Sequence, residues 1–107
     1  MVPSEREKEI LRQSVELLIQ ECLPEKIYFF GSRAKGEGSA TSDFDLALEA
    51  TPPSEKKVRV LKAKLDALSG LYSVDVIFLS QVDPEFLQLI LETGRIVYDK
   101  KRGLLLV

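Results

Sequence analysis

The sequence has no histidine, and a single cysteine, Cys22, among its 107 residues. The first absence excludes Ser-His-Asp and Cys-His catalytic arrangements, His-based zinc sites and proton transfer through imidazole. The second excludes an internal disulfide and a Cys-built metal cage, so Cys22 reads as a small hydrophobe near the end of a first helix. No run of about eighteen apolar residues exists to cross a bilayer. The opening Met1-Val2-Pro3-Ser4-Glu5-Arg6 lacks the apolar core of a secretory signal. A reduced, cytoplasmic setting is the resulting expectation. Nor is there an excess of positive charge: fifteen Lys and Arg stand against seventeen Asp and Glu, for a net charge of -2. That balance offers no footprint for stable binding along duplex DNA or RNA.

What is present suits one globular domain spanning residues 1–107. The apolar fraction is 45%, too high for disorder, while 30% charged residues supply a solvated surface. A chain this short should bury roughly two-thirds of its unfolded surface, enough for one core.

Ser4 with Glu7 reads as a capping box, and Ile10, Leu11, Val15, Leu18 and Ile19 recur at helical spacing, so a helix is expected from Ser4 to Cys22, stopped by Pro24. Lys26-Ile27-Tyr28-Phe29-Phe30 reads as a strand buried on both faces. Three Gly, three Ser and a Thr between Gly31 and Ser42 mark a turn-rich stretch, with one helical turn around Arg33–Lys35. Alternation of Asp43, Asp45, Ala47 and Glu49 with Phe44, Leu46 and Leu48 gives a second strand. Ser54 caps a helix whose stripe is Val58, Leu61, Leu65 and Leu68, and Gly70 ends it. Lys56, Lys57, Arg59, Lys62 and Lys64 on that helix read as a solvated face, because Glu55 and Asp66 interrupt them.

Ser73 to Leu79 is a third strand. Asp83-Pro84 opens a helix that runs to about Thr93, and Gly94 terminates it. Arg95 to Asp99 is a last strand. The apolar tail Gly103–Val107 either packs on the domain or binds another chain. The Leu87-Ile90-Leu91 stripe faces the same choice, with core packing the favoured one. This order of elements predicts a small mixed sheet with helices on one or both sides.

Three carboxylates stand where carboxylates are out of place. Asp43 and Asp45, two apart on a strand, project from one face, and Asp75 interrupts an apolar strand between Val74 and Val76. If the two strands are neighbours in register, the three converge, and their repulsion calls for a cation. An all-oxygen site suits Mg2+ or Mn2+. Upstream, a strand running directly into Gly31-Ser32, with Arg33 and Lys35 just beyond, reads as a phosphate cradle. A polyphosphate held by the turn and a metal held by the acids are the equipment of phosphoryl or nucleotidyl transfer.

Gly31-Ser32, ten intervening residues, and Asp43-Phe44-Asp45 resemble the signature of the polymerase-β-like nucleotidyltransferase superfamily. The wording Gly31-Ser32-Arg33-Ala34-Lys35-Gly36 and Ser42-Asp43-Phe44-Asp45-Leu46 is similar to that of its minimal members, the MNT proteins. The resemblance implies an α+β fold, a small mixed β-sheet with flanking helices, over nearly the whole chain. It implies that Gly31 and Ser32 contact the nucleotide's β- and γ-phosphates and that Arg33 neutralises the triphosphate. Asp43 and Asp45 would ligate two Mg2+ ions, and Asp75 would be the third ligand and help activate the attacking hydroxyl.

MNT proteins of this kind are paired with α-helical HEPN toxins, so the implied reaction is transfer of AMP from ATP to a partner hydroxyl, by expectation a Tyr. The shortness of the chain independently asks for a second chain to complete an acceptor site. A homo-oligomer is a further candidate assembly. Two other readings compete: a non-catalytic nucleotide-binding antitoxin that masks its toxin sterically, and a small-molecule, antibiotic-type nucleotidyltransferase subunit.

Overall fold

A computed structural model describes residues 5–35 and 43–105. Helix α1 (Glu5–Cys22) leads into strand β1 (Lys26–Phe30), and a four-residue helix α2 (Gly31–Ala34) follows β1 directly. Then come β2 (Phe44–Glu49), α3 (Glu55–Ser69), β3 (Val74–Phe78), a 3-10 turn (Leu79–Gln81), α4 (Pro84–Thr93), β4 (Arg95–Asp99) and β5 (Gly103–Leu104). The five strands form one sheet in the order β3-β2-β1-β4-β5. Only β2 and β3 run parallel, joined by the α3 crossover; β2–β1, β1–β4 and β4–β5 are antiparallel. The expected mixed sheet forms, and of the two arrangements left open its helices take both sides.

Strand alternation sorts the side chains into two faces. One carries Ile27, Phe29, Phe44, Leu46, Leu48, Val74, Phe78 and Val97, and these pack with Ile10, Leu11, Val15 and Leu18 of α1 and with Leu61 and Leu65 of α3. The other carries Tyr28 and Ala47, covered by Ile90 of α4, with Phe30, Ile77, Phe86 and Ile96 around them. Because β1 is sandwiched, Ile27, Tyr28 and Phe29 are all buried, as an unbroken apolar strand should be.

The element ends follow local chemistry. Ser54 Oγ accepts the Lys57 N–H at 3.2 Å, and Asp83 accepts the Phe86 N–H at 2.9 Å with Pro84 opening α4. Gly70 closes α3 at φ +64, where an L-side chain would be strained. Leu23 takes the corresponding left-handed place after α1 and is followed by the fully buried Pro24. The capping-box residue Ser4 lies outside the described residues, as do 36–42 of the turn-rich stretch and residues 106–107.

Two expectations change, and one open alternative is decided. Asp43 sits one residue ahead of β2 rather than within it. The described part of the tail, residues 103–105, pairs with its own domain: Gly103 and Leu104 pair with Asp99 and Tyr98, and the Leu105 N–H reaches the Val97 carbonyl at 2.8 Å. The expected stripes are narrower than their spacing suggested. Of the α3 stripe only Leu61 and Leu65 are buried while Val58 is exposed, and on α4 Ile90 is buried while Leu91 is exposed.

The α3 crossover is what sets β3 beside β2, and Leu65, 1% exposed, is its main anchor. Leu65→Ala is expected to cost about 2–4 kcal/mol of stability, read by urea unfolding; a cost below about 1 kcal/mol would mean that α3 is not packed as described.

Candidate active site

The register of the β2–β3 pair decides the site. Asp45 stands opposite Asp75 on the parallel strands, and Asp43 is two residues before Asp45 on the same side. Ligand oxygens from Asp43, Asp45 and Asp75 all lie within 4.8 Å of one another. This face is the one that α1 and α3 do not cover, and α4 covers it only beyond the acids. The carboxylates therefore stand at an open edge of the sheet rather than in the core.

Across the other side of β2, Phe30 is paired with Asp45, so the next residue, Gly31, turns over the Asp45 carboxylate. A Cβ on Gly31 would come within 2.3 Å of Asp45 Oδ2, and its φ of +85 is strained for any L-side chain. The turn and the acid are thus built against each other, with Ser32 exposed beside them.

Arg33 is placed otherwise than a loose cation beside the turn. Its side chain is only 8% exposed and pairs with Glu7 of α1 at 3.3 Å. Its guanidinium stacks 4.4 Å from the Phe44 ring centroid and 5.4 Å from that of Tyr72. Phe44 in turn stacks on Phe29 and meets Tyr72 edge-on. Arg33 thereby ties α2 to α1, β2 and the segment before β3.

Lys62 is the residue whose place the solvated-face reading missed. Its Nζ donates to the Val74 carbonyl at 2.7 Å and lies 3.5 Å from Asp75 Oδ1, with Asp66 at 3.4 Å. The available signal was its position immediately after the buried Leu61, which puts it at the margin of the core stripe rather than on the outer face. A cavity of about 470 Å3 opens here, lined by Asp45, Asp75, Lys62, Phe30, Val76 and Phe86 among others.

Electrostatics follow from the crowding. The Asp75 carboxyl, hydrogen-bonded and close, holds Asp43 above the usual carboxylate range. Partial burial, then the charges of Asp75 and Asp43, push Asp45 up to about 6. Three carboxylates that crowd and repel one another fit a hard divalent cation, which relieves the repulsion and needs no nitrogen or sulfur donor.

A family model described as "Polymerase beta, Nucleotidyltransferase" matches residues 12–103. The chain belongs to this family. It is a nucleotidyltransferase domain. Solved structures share the fold. A minimal nucleotidyltransferase is 24% identical with a TM-score of 0.66, over 87% of this chain and 98% of that one. A toxin–antitoxin crystal structure with AMP-PNP is 22% identical with a TM-score of 0.68, over 84% and 74%. A chain from the complex of tri-AMPylated Shewanella oneidensis HEPN toxin with MNT antitoxin is 20% identical with a TM-score of 0.66, over 87% and 72%. A comparison with curated protein sequences gives no match. Among the described residues no helix is long and apolar enough to cross a membrane.

The raised Asp45 has a consequence for stability. The folded chain holds the Asp45 proton more tightly than the unfolded chain, whose carboxyl has its ordinary value near 4. Its contribution is fully present below about pH 4 and is lost as pH rises through about 6. Asp45→Asn is therefore expected to raise the melting temperature of EDTA-treated protein at pH 7.5, with the gain vanishing near pH 4. A gain equal at the two pH values would mean the carboxylate charge is not its cause. Gly31→Ala, which drives a methyl into Asp45, is expected to abolish stabilisation by Mg2+ in the same melts.

Proposed function

We propose that the chain is a divalent-metal-dependent adenylyltransferase that moves AMP from ATP to a protein hydroxyl, by expectation a Tyr, on a HEPN-type α-helical toxin, and so acts as that toxin's antitoxin. The observation that carries the chemistry is the convergence of Asp43, Asp45 and Asp75 within 4.8 Å, hard against Gly31. Support for the partner comes from the fold shared with chains of toxin–antitoxin complexes, one of them with an AMPylated HEPN toxin. ATP as donor is supported by the AMP-PNP complex among those neighbours.

In this reading Asp43, Asp45 and Asp75 would hold Mg2+, two ions by expectation, or Mn2+ in its place. Bound there, such ions would neutralise the triphosphate and the charge that develops on its leaving group. Gly31 and Ser32 receive the β- and γ-phosphates: Gly31 gives the backbone close approach, and Ser32 offers an exposed hydroxyl and N–H. Arg33, whose charge is shared with Glu7 and two aromatic rings, contributes by fixing the turn and adds positive potential beneath the phosphates.

The acceptor enters through the cavity that Asp45 and Asp75 line. Its oxygen attacks the α-phosphorus, the bond from that phosphorus to the bridging oxygen breaks, and pyrophosphate leaves. Asp75, which lines that cavity beside Asp45, would accept a hydrogen bond from the acceptor hydroxyl and help draw off its proton. Steric masking of a toxin would need none of these acids.

The test incubates the chain with ATP, Mg2+ and a co-purified HEPN protein and then weighs that protein. An AMP-sized increment is expected, and Asp45→Asn should lower its rate by at least about 100-fold, since even orienting neighbours of a metal ligand cost 10- to 100-fold. Folded wild-type chain that adds no mass, or an Asp45→Asn variant of unchanged rate, would overturn the reading.

A further inference from the structure

We infer that Lys62 is a positioning residue: its ammonium, anchored on the free edge of the sheet, holds Asp75 in the ligating arrangement and offsets the charge of the trio when no metal is bound. Its catalytic consequence rests on the nucleotidyltransferase reading above; its hold on Asp75 does not.

The argument starts from the helix. Leu61 and Leu65, 4% and 1% exposed, pin α3 to the sheet, so the side chain of Lys62 leaves the helix at the border of the packed face. The neighbouring strand there is β3, which has no further strand beyond it in the sheet. In the parallel pair the Phe44 N–H takes the Ser73 carbonyl at 2.9 Å, so by alternation the next carbonyl, that of Val74, points outward from the sheet. Lys62 Nζ caps it at 2.7 Å. An edge carbonyl that would otherwise rely on solvent thus becomes a fixed seat for a cation.

From that seat the ammonium reaches Asp75 Oδ1 at 3.5 Å, and its charge also acts on Asp43. Among the faces around the trio, Asp43 stands one residue ahead of β2, β2 supplies Asp45, β3 supplies Asp75, and α3 supplies Lys62 with Asp66 as its second carboxylate partner. Asp66 and the Val74 carbonyl keep the ammonium in place from the outer side, while Asp75 is drawn toward it on the inner side. With a seat made of backbone, the ammonium does not follow Asp75; Asp75 is set by it. The pair is partly exposed, at 40% and 49% for the two side chains, so the expected effects are moderate.

A double-mutant cycle tests the hold directly. In EDTA at pH 7.5, Lys62→Met should lower the melting temperature by roughly 2–4 °C in the wild-type background. In an Asp75→Asn background the same substitution should cost half of that or less, because only the Val74 and Asp66 contacts are then lost. The catalytic arm uses the transfer reaction: Lys62→Met should lower kcat by about tenfold or more with KM for ATP within about twofold. Lys62→Arg, which keeps the charge, should recover most of that loss.

Equal falls in melting temperature in the two backgrounds would overturn the inference. So would a transferring protein in which Lys62→Met leaves kcat intact, or raises only KM, which would make Lys62 a nucleotide contact. Wild-type chain that transfers nothing would defeat the function reading alone, and the cycle would still decide whether Lys62 holds Asp75.

Discussion

Parallel pairing of β2 with β3 forces three carboxylates to share one edge of a sheet, and most of what is distinctive in this chain is an accommodation to that. The pairing is unfavourable where the acids meet and favourable elsewhere. Phe44, Leu46, Leu48, Val74 and Phe78 from the same two strands lie on the opposite face, in the main core. Burial of those side chains, at about 25 cal/mol per Å2, outweighs the repulsion between partly solvated acids on the other face. A strand's two-residue period lets one segment do both jobs, with structure on one face and reactivity on the other.

The surroundings of the trio serve the same end. Gly31 yields the space that a Cβ would take from Asp45. Arg33 locks the short helix after β1 by pairing with Glu7 and stacking on Phe44, so the turn that meets the acids is held from below. Lys62 reaches around the edge of β3 and places a cation against Asp75. Neither Gly31 nor Arg33 is replaceable by a merely similar residue: alanine at 31 is too large and too strained, and lysine at 33 would lack the planar stack.

Economy shapes the rest. α1 and α3 close one face, a single short helix α4 covers half of the other, and the uncovered half is the site. Gly103 and Leu104 of the apolar tail, in contrast, pair with β4 of their own domain.

Much of this was legible in the sequence. The helices and four longer strands declared themselves through periodicity, Ser54 and Asp83 caps, and Gly70 and Gly94 stops, all of which act over four residues or fewer. The Gly31-Ser32 turn and the three acids were likewise readable, because a charged residue amid valines contradicts its local pattern. Tertiary structure alone decided the rest. It set the Asp45–Asp75 register and the clash distance at Gly31, sent Arg33 inward to Glu7 and Phe44, seated Lys62 on the Val74 carbonyl, and folded Gly103–Leu104 back as a fifth strand. Each of these joins residues that are distant along the chain or depends on which side of an element another element covers, and no local periodicity carries that information.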